Sequence, residues 1–188
     1  MTEWYNKLTA YFPAREMKSK HHMQALFMEK AELYKREEGP EYILVYLEKE
    51  DYIFIDYVLV SGKHRGNGMG SMLINRLKKK GKPIILEVEP ITPNDPDTKK
   101  RVIFYEKNSF KKASSIVYQR LHAVTNELNE MDIFYWAPNR KNEAWVFEKM
   151  KEIYEQVHTY RAADFYGKPV QEVSEVLCYE NGSYRAAK

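Results

Sequence analysis

Apolar residues recur along this chain with two different periods, and the switches between them mark out its elements. Met17, Met23, Leu26, Phe27, Ala31, Leu33 and Tyr34 recur at roughly helical spacing and the run closes on "EEGP", which predicts one helix over 13–38. "EYILVYLEKEDYIFIDYVLV" follows as two strands, 42–47 and 52–60, β-branched and aromatic on either side of the polar turn "EKED", hence a hairpin. Met69, Met72, Leu73 and Leu77 mark one face of a helix that stops at Gly81, and "KPIILEVEP" is the nearly continuous apolar run of a strand buried on both faces. Beyond the loop "ITPNDPD", "TKKRVIFYEKN" reads as a short helix and "SSIVYQRLH" and "MDIFYWA" as two strands. From Asn139 the period is helical again, through Trp145, Phe147, Met150, Ile153, Tyr154 and Val157, with a weaker helix predicted over 170–178.

Strand, loop, helix, strand in this order is a βαβ unit, whose two strands run parallel with a right-handed crossover. Beside an antiparallel hairpin it makes the sheet mixed and the fold class α/β. The 188 residues suit one domain, with a core of 1–138 and a helical extension, 139–188, packed on the same domain. Hydrophobic residues at 44% and charged residues at 30% describe a folded chain. A net charge of +3 is too mild to indicate nucleic acid, and most of the lysines and arginines between Lys63 and Lys112 read as solvated helix faces. No segment offers about eighteen consecutive apolar residues and the amino terminus lacks a basic-then-apolar leader, so neither a membrane nor a secretory route is expected. One cysteine, Cys178, can form no internal disulfide, which fits the reducing cytoplasm.

Chemistry concentrates at "RGNGMGS", where Arg65, Gly68 and Gly70 stand in the spacing RxxGxG between a strand and a helix. Glycines bring bare N–H groups close to a ligand, and the first helical turn adds unpaired donors and the positive end of its dipole. A phosphate or pyrophosphate is the natural guest. No GxxxxGK run exists, and the dinucleotide fingerprint would need a glycine where Ser71 stands, so mononucleotide and NAD sites are poor fits.

Three separated pieces together resemble the GNAT acyltransferase superfamily: "FIDYVLVSGKHRGNGMGSMLINRL", "IILEVEP" and "RVIFYEKNSFKK". Order and spacing agree over about 42–118. The resemblance implies a three-layer fold around a twisted, mostly antiparallel sheet with one splayed parallel strand pair. It implies acetyl-CoA or another acyl-CoA as co-substrate and a small-molecule or peptide amine as acceptor. By the same resemblance the backbone of Val58, Leu59 and Val60 would meet the pantetheine arm. Backbone N–H groups of Arg65, Gly66, Asn67, Gly68, Met69, Gly70 and Ser71 would hold the pyrophosphate, and Tyr105 would be the general acid for the leaving thiolate.

Amine acylation needs a neutral nucleophile, a polarised carbonyl and a proton for the thiolate, and no covalent enzyme intermediate. Candidates for a general base, or for binding a cationic amine, are Glu87 first, then Asp56, with Glu89 on the same face as Glu87. Acidic residues inside apolar strands call for a reason, because unpaired burial is costly. The five histidines show no metal-ligand spacing and no metal is expected.

Against the family pattern, Thr98 and Arg101 stand where an asparagine and an alanine are common, and Ser109 replaces a glycine, so Asn108 is expected to take the left-handed cap conformation. A single long amino-terminal helix replaces two shorter ones, with no strand before it. Acidic residues would suit a cationic amine such as a polyamine, an aminoglycoside or a lysine side chain. The aromatics of the tail could cover the core, mediate a homodimer or line the acceptor site. A CoA-binding sensor and an interaction protein acting through the tail are the competing functions, and retention of Tyr105 favours the enzyme.

Overall fold

A computed structural model of the chain describes residues 3–61 and 67–180. Its centre is a six-stranded sheet in the order β1-β2-β3-β4-β8-β5, formed by β1 (Tyr34–Gly39), β2 (Tyr42–Glu48), β3 (Ile53–Val60), β4 (Ile84–Val88), β5 (Lys111–Lys112) and β8 (Asp132–Trp136). Only β3 and β4 run parallel; the other neighbours are antiparallel. A smaller sheet sets β6 (Ile116–Leu121) between β7 (Leu128–Glu130) and β9 (Leu177–Tyr179).

β2, β3, β4 and β8 are apolar almost throughout because both faces of the sheet are covered there. Ile43, Val45, Leu47, Phe54 and Ile85 face one core with α1 (Glu3–Thr9), α2 (Lys20–Glu29) and α5 (Glu143–Ile153). The alternate residues Leu44, Tyr46, Ile53, Ile55, Ile84 and Leu86 face a second core with α3 (Met69–Lys78) and α4 (Pro96–Lys107). This is the two-residue period of a strand read on both sides. The mixed, mostly antiparallel three-layer architecture expected from the sequence is the one observed.

The amino-terminal third departs from expectation. Instead of one helix over 13–38, the chain forms α1, a 3-10 turn at Ala14–Glu16, α2 and then β1. β1, "YKREEG", consists largely of good helix formers, yet it pairs with β2 from Tyr34↔Leu47 to Gly39↔Tyr42. Pairing with an apolar neighbour overrides propensity here, and the charged residues suit a solvent-facing edge strand.

The tail also differs. Val146, Met150, Ile153, Tyr154 and Val157 join the first core, while Trp145 and Phe147 pack partly buried against it. These aromatics thus cover the core. The helix predicted over 170–178 shrinks to α7 (Val173–Val176), because Leu177–Tyr179 is drawn out as β9 against the edge of β6. Between these stands α6 (Ala162–Tyr166).

At the end of α4, Ser109 (φ 61) takes the left-handed conformation, and Asn108 (φ −89) does not. The C-terminal hydrogen bonds explain why: Phe110 N–H donates to Tyr105 O (3.0 Å) and Ser109 N–H to Glu106 O (2.8 Å), a closure that requires the left-handed residue just after the cap.

Candidate active site

β3 and β4 pair only over Ile53↔Ile84, Phe54↔Ile85 and Ile55↔Leu86. Beyond Leu86, β4 continues with β8 and leaves β3, and a cavity of about 370 Å³ opens in the wedge. Asp56, Val58 and Val60 line it from β3, Leu86, Glu87 and Glu89 from the end of β4, and Arg101, Phe104 and Tyr105 from α4.

Tyr105 reaches the cavity because α4 is aimed at it. The Asp95 side chain caps the helix by accepting from Asp97 N–H (2.9 Å) and Pro96 starts it, so Thr98, Val102 and Tyr105 fall on the buried face. Burial raises the Tyr105 pKa above the ordinary phenol value, with Arg101 opposing, so the phenol keeps its proton at neutral pH. Thr98 holds the loop before α4, accepting from Thr92 N–H (3.0 Å) and donating to Asp95 O (2.6 Å).

The carboxylates proposed from sequence lie in this wedge, each engaged with a cation or an imidazole. Asp56 accepts two hydrogen bonds from Lys18 Nζ (2.7 and 2.9 Å) and one from the Tyr34 hydroxyl. Both members of the Lys18–Asp56 pair are buried, and burial pulls the Lys18 pKa down against the attraction of Asp56. Glu87 Oε1 lies 2.7 Å from His158 Nε2. Burial pushes Glu87 up, but His158, Arg120 and Lys18 together hold it down at about 2. Burial also lowers His158, with Glu87 opposing, so Nε2–H donates to the carboxylate and leaves Nδ1 as a buried lone pair. Glu89 is held by Arg15 and by Arg101 (3.1 Å).

Three contributors carried no expectation. Glu16 and Lys18 enter because the Tyr57 hydroxyl donates to Glu16 O (2.9 Å) and accepts from Lys18 N–H (3.1 Å), while His122 Nε2 meets Met17 O (2.9 Å). Met17, in extended conformation, turns into the core, and its two neighbours turn to the cavity. The Glu16 side chain is only 8% exposed and its Oε1 has no hydrogen-bond partner. Burial and the negative charge of Glu89, against Arg101 and Arg15, push its pKa up to about 7. Its position carried no sequence signal, since a helix over 13–38 leaves residue 16 unremarkable. Arg120 did leave one: it follows Ile116 and Tyr118 at the same strand parity and therefore points inward on β6.

His158, one of the five histidines without metal-ligand spacing, arrives by an irregularity. The helix that begins as α5 widens into a π turn at Tyr154–His158, closed by Thr159 N–H to Tyr154 O (2.9 Å). The extra residue carries His158 round toward the buried line of Ile153, and both Val157 and His158 are buried.

At the loop, Arg65 and Gly66 lie outside the described residues. Gly68 is the left-handed N-cap of α3 (φ 79) and supplies no side-chain cap, so the first-turn N–H groups of Met69, Gly70 and Ser71 receive none from it. Gly70 has a second reason for being glycine: a Cβ there would come within 2.9 Å of Phe104 Cζ, so the Phe104 ring would have to shift to admit it. Among the described residues no group of three or more His, Cys, Asp and Glu side chains is placed to hold a metal ion, and no helix is long and apolar enough to cross a membrane.

No family model matches the chain. A Bacillus subtilis (strain 168) protein named "Putative acetyltransferase YjbC" is 48% identical over 174 residues, 93% of this chain and 91% of that protein. The chain belongs to the GNAT acetyltransferases. A solved structure from Bacteroides thetaiotaomicron, named as a GNAT-family acetyltransferase, shares the GNAT fold with a TM-score of 0.62 at 18% identity, over 88% of this chain and 90% of that one. Arabidopsis thaliana Naa50, solved with the bisubstrate analogue CoA-Ac-MVNAL, aligns with a TM-score of 0.51 at 18% identity, over 72% of this chain and 91% of that one. As a GNAT acetyltransferase the protein is an enzyme, an acyltransferase.

Proposed function

We propose that this enzyme moves the acetyl group of acetyl-CoA to a primary amine by direct attack, with both substrates bound together. The observation that carries the reading is the coincidence of the β3–β4 wedge with the buried Tyr105 in one cavity. A pantetheine arm lying along Val58, Leu59 and Val60 would bring the thioester into that wedge. Arg65, Gly66, Asn67, Gly68, Met69, Gly70 and Ser71 would hold the pyrophosphate through backbone N–H groups at the start of α3. The complex of Arabidopsis Naa50 with an analogue joining CoA to a peptide is in keeping with this order of ligands.

In this reading the amine nitrogen bonds to the acetyl carbon as the carbon–sulfur bond breaks, and Tyr105 gives its phenolic proton to the departing thiolate. The proton lost by the amine goes to a carboxylate. Asp56 and Glu87, the candidates from sequence, are committed to Lys18 and His158, so their role becomes positioning. Glu16 is the carboxylate that can accept a proton near neutral pH, with an oxygen free to do so. Solvent then restores both groups.

Release of CoA thiol from acetyl-CoA in the presence of an amine panel tests the reading. Tyr105→Phe is expected to lower kcat by about 100-fold with the KM for acetyl-CoA little changed. Isothermal titration should show acetyl-CoA binding that Gly68→Trp abolishes. Folded wild-type protein that binds neither acetyl-CoA nor CoA overturns it.

A further inference from the structure

Buried polar atoms without a hydrogen-bond partner are scarce in folded proteins, and each asks what it is waiting for. Among the described residues, Arg120 Nε and His158 Nδ1 are such atoms, and both side chains line the cavity. Glu16 Oε1 is another, on a different wall of the same cavity.

The charges sort into two groups. Lys18 is paired with Asp56, Arg15 and Arg101 with Glu89, and Glu87 spends its Oε1 on His158 while Arg120 attracts it without an ion-pair contact. Arg120 forms no ion pair with any carboxylate among the described residues, although an arginine stays charged at every physiological pH. Glu16 has as its nearest recorded cation only Arg15, at 4.0 Å. Glu16 and Arg120 are thus the charged groups of this cavity that keep a buried polar atom, Oε1 and Nε, without a hydrogen-bond partner.

Resting on the proposed amine acetylation, we infer that the acceptor is a small amino acid: a primary amine carrying its own carboxylate, with Arg120 as the carboxylate's counter-ion. A planar carboxylate matches the guanidinium fork, and its single negative charge fits a wall that already holds Glu87 better than a dianionic phosphate would. Lys18 and His158 stand with Arg120 in the partition between this cavity and a smaller one of about 140 Å³, which marks the inner end of the site. The amine end then falls toward Glu16, where its proton is taken. A cavity of about 370 Å³ that must also admit the acetyl end of the cofactor suits a ligand of amino-acid size. A polyamine would set a second cation against Arg120, so this inference departs from the cationic acceptors expected from sequence.

The experiment uses the full chain and matched pairs: lysine and cadaverine, ornithine and putrescine, phenylalanine and phenethylamine, leucine and isoamylamine, within a panel of the twenty amino acids. Turnover with acetyl-CoA is measured alongside calorimetric binding of each compound to CoA-saturated protein. The carboxylated member of at least one pair should be preferred about 30-fold or more in kcat/KM. Arg120→Gln should collapse that preference through KM, and Arg120→Lys should keep part of it; melting curves and acetyl-CoA affinity report whether either variant folds. Turnover that ignores the carboxylate, or an Arg120→Lys variant with undiminished preference beside an equally undiminished Arg120→Gln, overturns the inference and spares the acetylation reading. Carboxylate-dependent binding without turnover sustains the Arg120 site and overturns acetylation. Binding and turnover of no panel member overturn both.

Discussion

Two sets of ionisable side chains share the active-site cavity and differ in one respect, whether the fold leaves one of their buried polar atoms without a partner. Asp56, Glu87 and Glu89 each hold a hydrogen-bonded partner inside the protein, whereas Glu16 Oε1 and Arg120 Nε have none. The first set binds the floor of the site together. The second set is left short of partners by folding and is therefore where a substrate has most to offer. A carboxylate inside a strand draws the eye in a sequence, but its partner decides its use, and the partner comes from another element.

The difference can be broken from the structural side first. Lys18→Met leaves the Asp56 carboxylate buried without its cation, and removal of one member of such a pair typically destabilises by about 3–5 kcal/mol. For a chain of this length that is a loss of roughly 10 °C in Tm, read by thermal melting. A Lys18→Met protein as stable as wild type would show that Asp56 does not depend on Lys18.

Glu16→Gln should act in the opposite sense on stability while damaging catalysis. The folded pKa of about 7 lies above the ordinary 4.5, so the folded state binds the proton more tightly than the unfolded one. Glu16's contribution is complete below pH 4.5 and is lost as pH rises through 7. Glutamine avoids that loss, so above pH 7 the variant should be more stable by about 3 kcal/mol, from the size of the shift. In kcat/KM the wild type should rise with pH through about 7 as Glu16 becomes able to accept a proton, and the variant should lose both that limb and about 100-fold of the rate. A variant that keeps the limb removes Glu16 from the reaction.

Smallest of the effects, and outside the cavity, is Ser109→Gly. The left-handed conformation of Ser109 favours glycine by about 1 kcal/mol, so this variant should gain 2–4 °C in Tm without a change in turnover. It serves as a control for substitutions that touch neither charge set.

The same contrast explains what was legible. The hairpin, the glycine loop with α3, and β4 are strongly periodic and local, and they were readable together with Tyr105 and the acidic residues of the wedge. β1 was not, because its pairing with β2 supplies the energy that its lysine, arginine and glutamates do not advertise. β9 likewise exists only because β6 offers an edge. Glu16 owes its place to two hydrogen bonds of Tyr57 and one contact of His122, all from distant parts of the chain. Arg120 was readable by strand parity, but that its Nε lacks a hydrogen-bond partner is a property of the assembled cavity.

The π turn at Tyr154–His158 acts on the helix like an inserted letter, shifting the frame of everything after it. Upstream residues address the sheet in one phase; His158 addresses Glu87 in another. Deleting a single residue there would leave the histidine four residues after Ile153 in an ordinary helix and keep it on the buried line, whereas inserting a further residue would keep the core stripe through Ile153 while swinging the imidazole off its carboxylate. A length change of one residue, invisible to composition and to fold, would thereby unfasten the back wall of the active site.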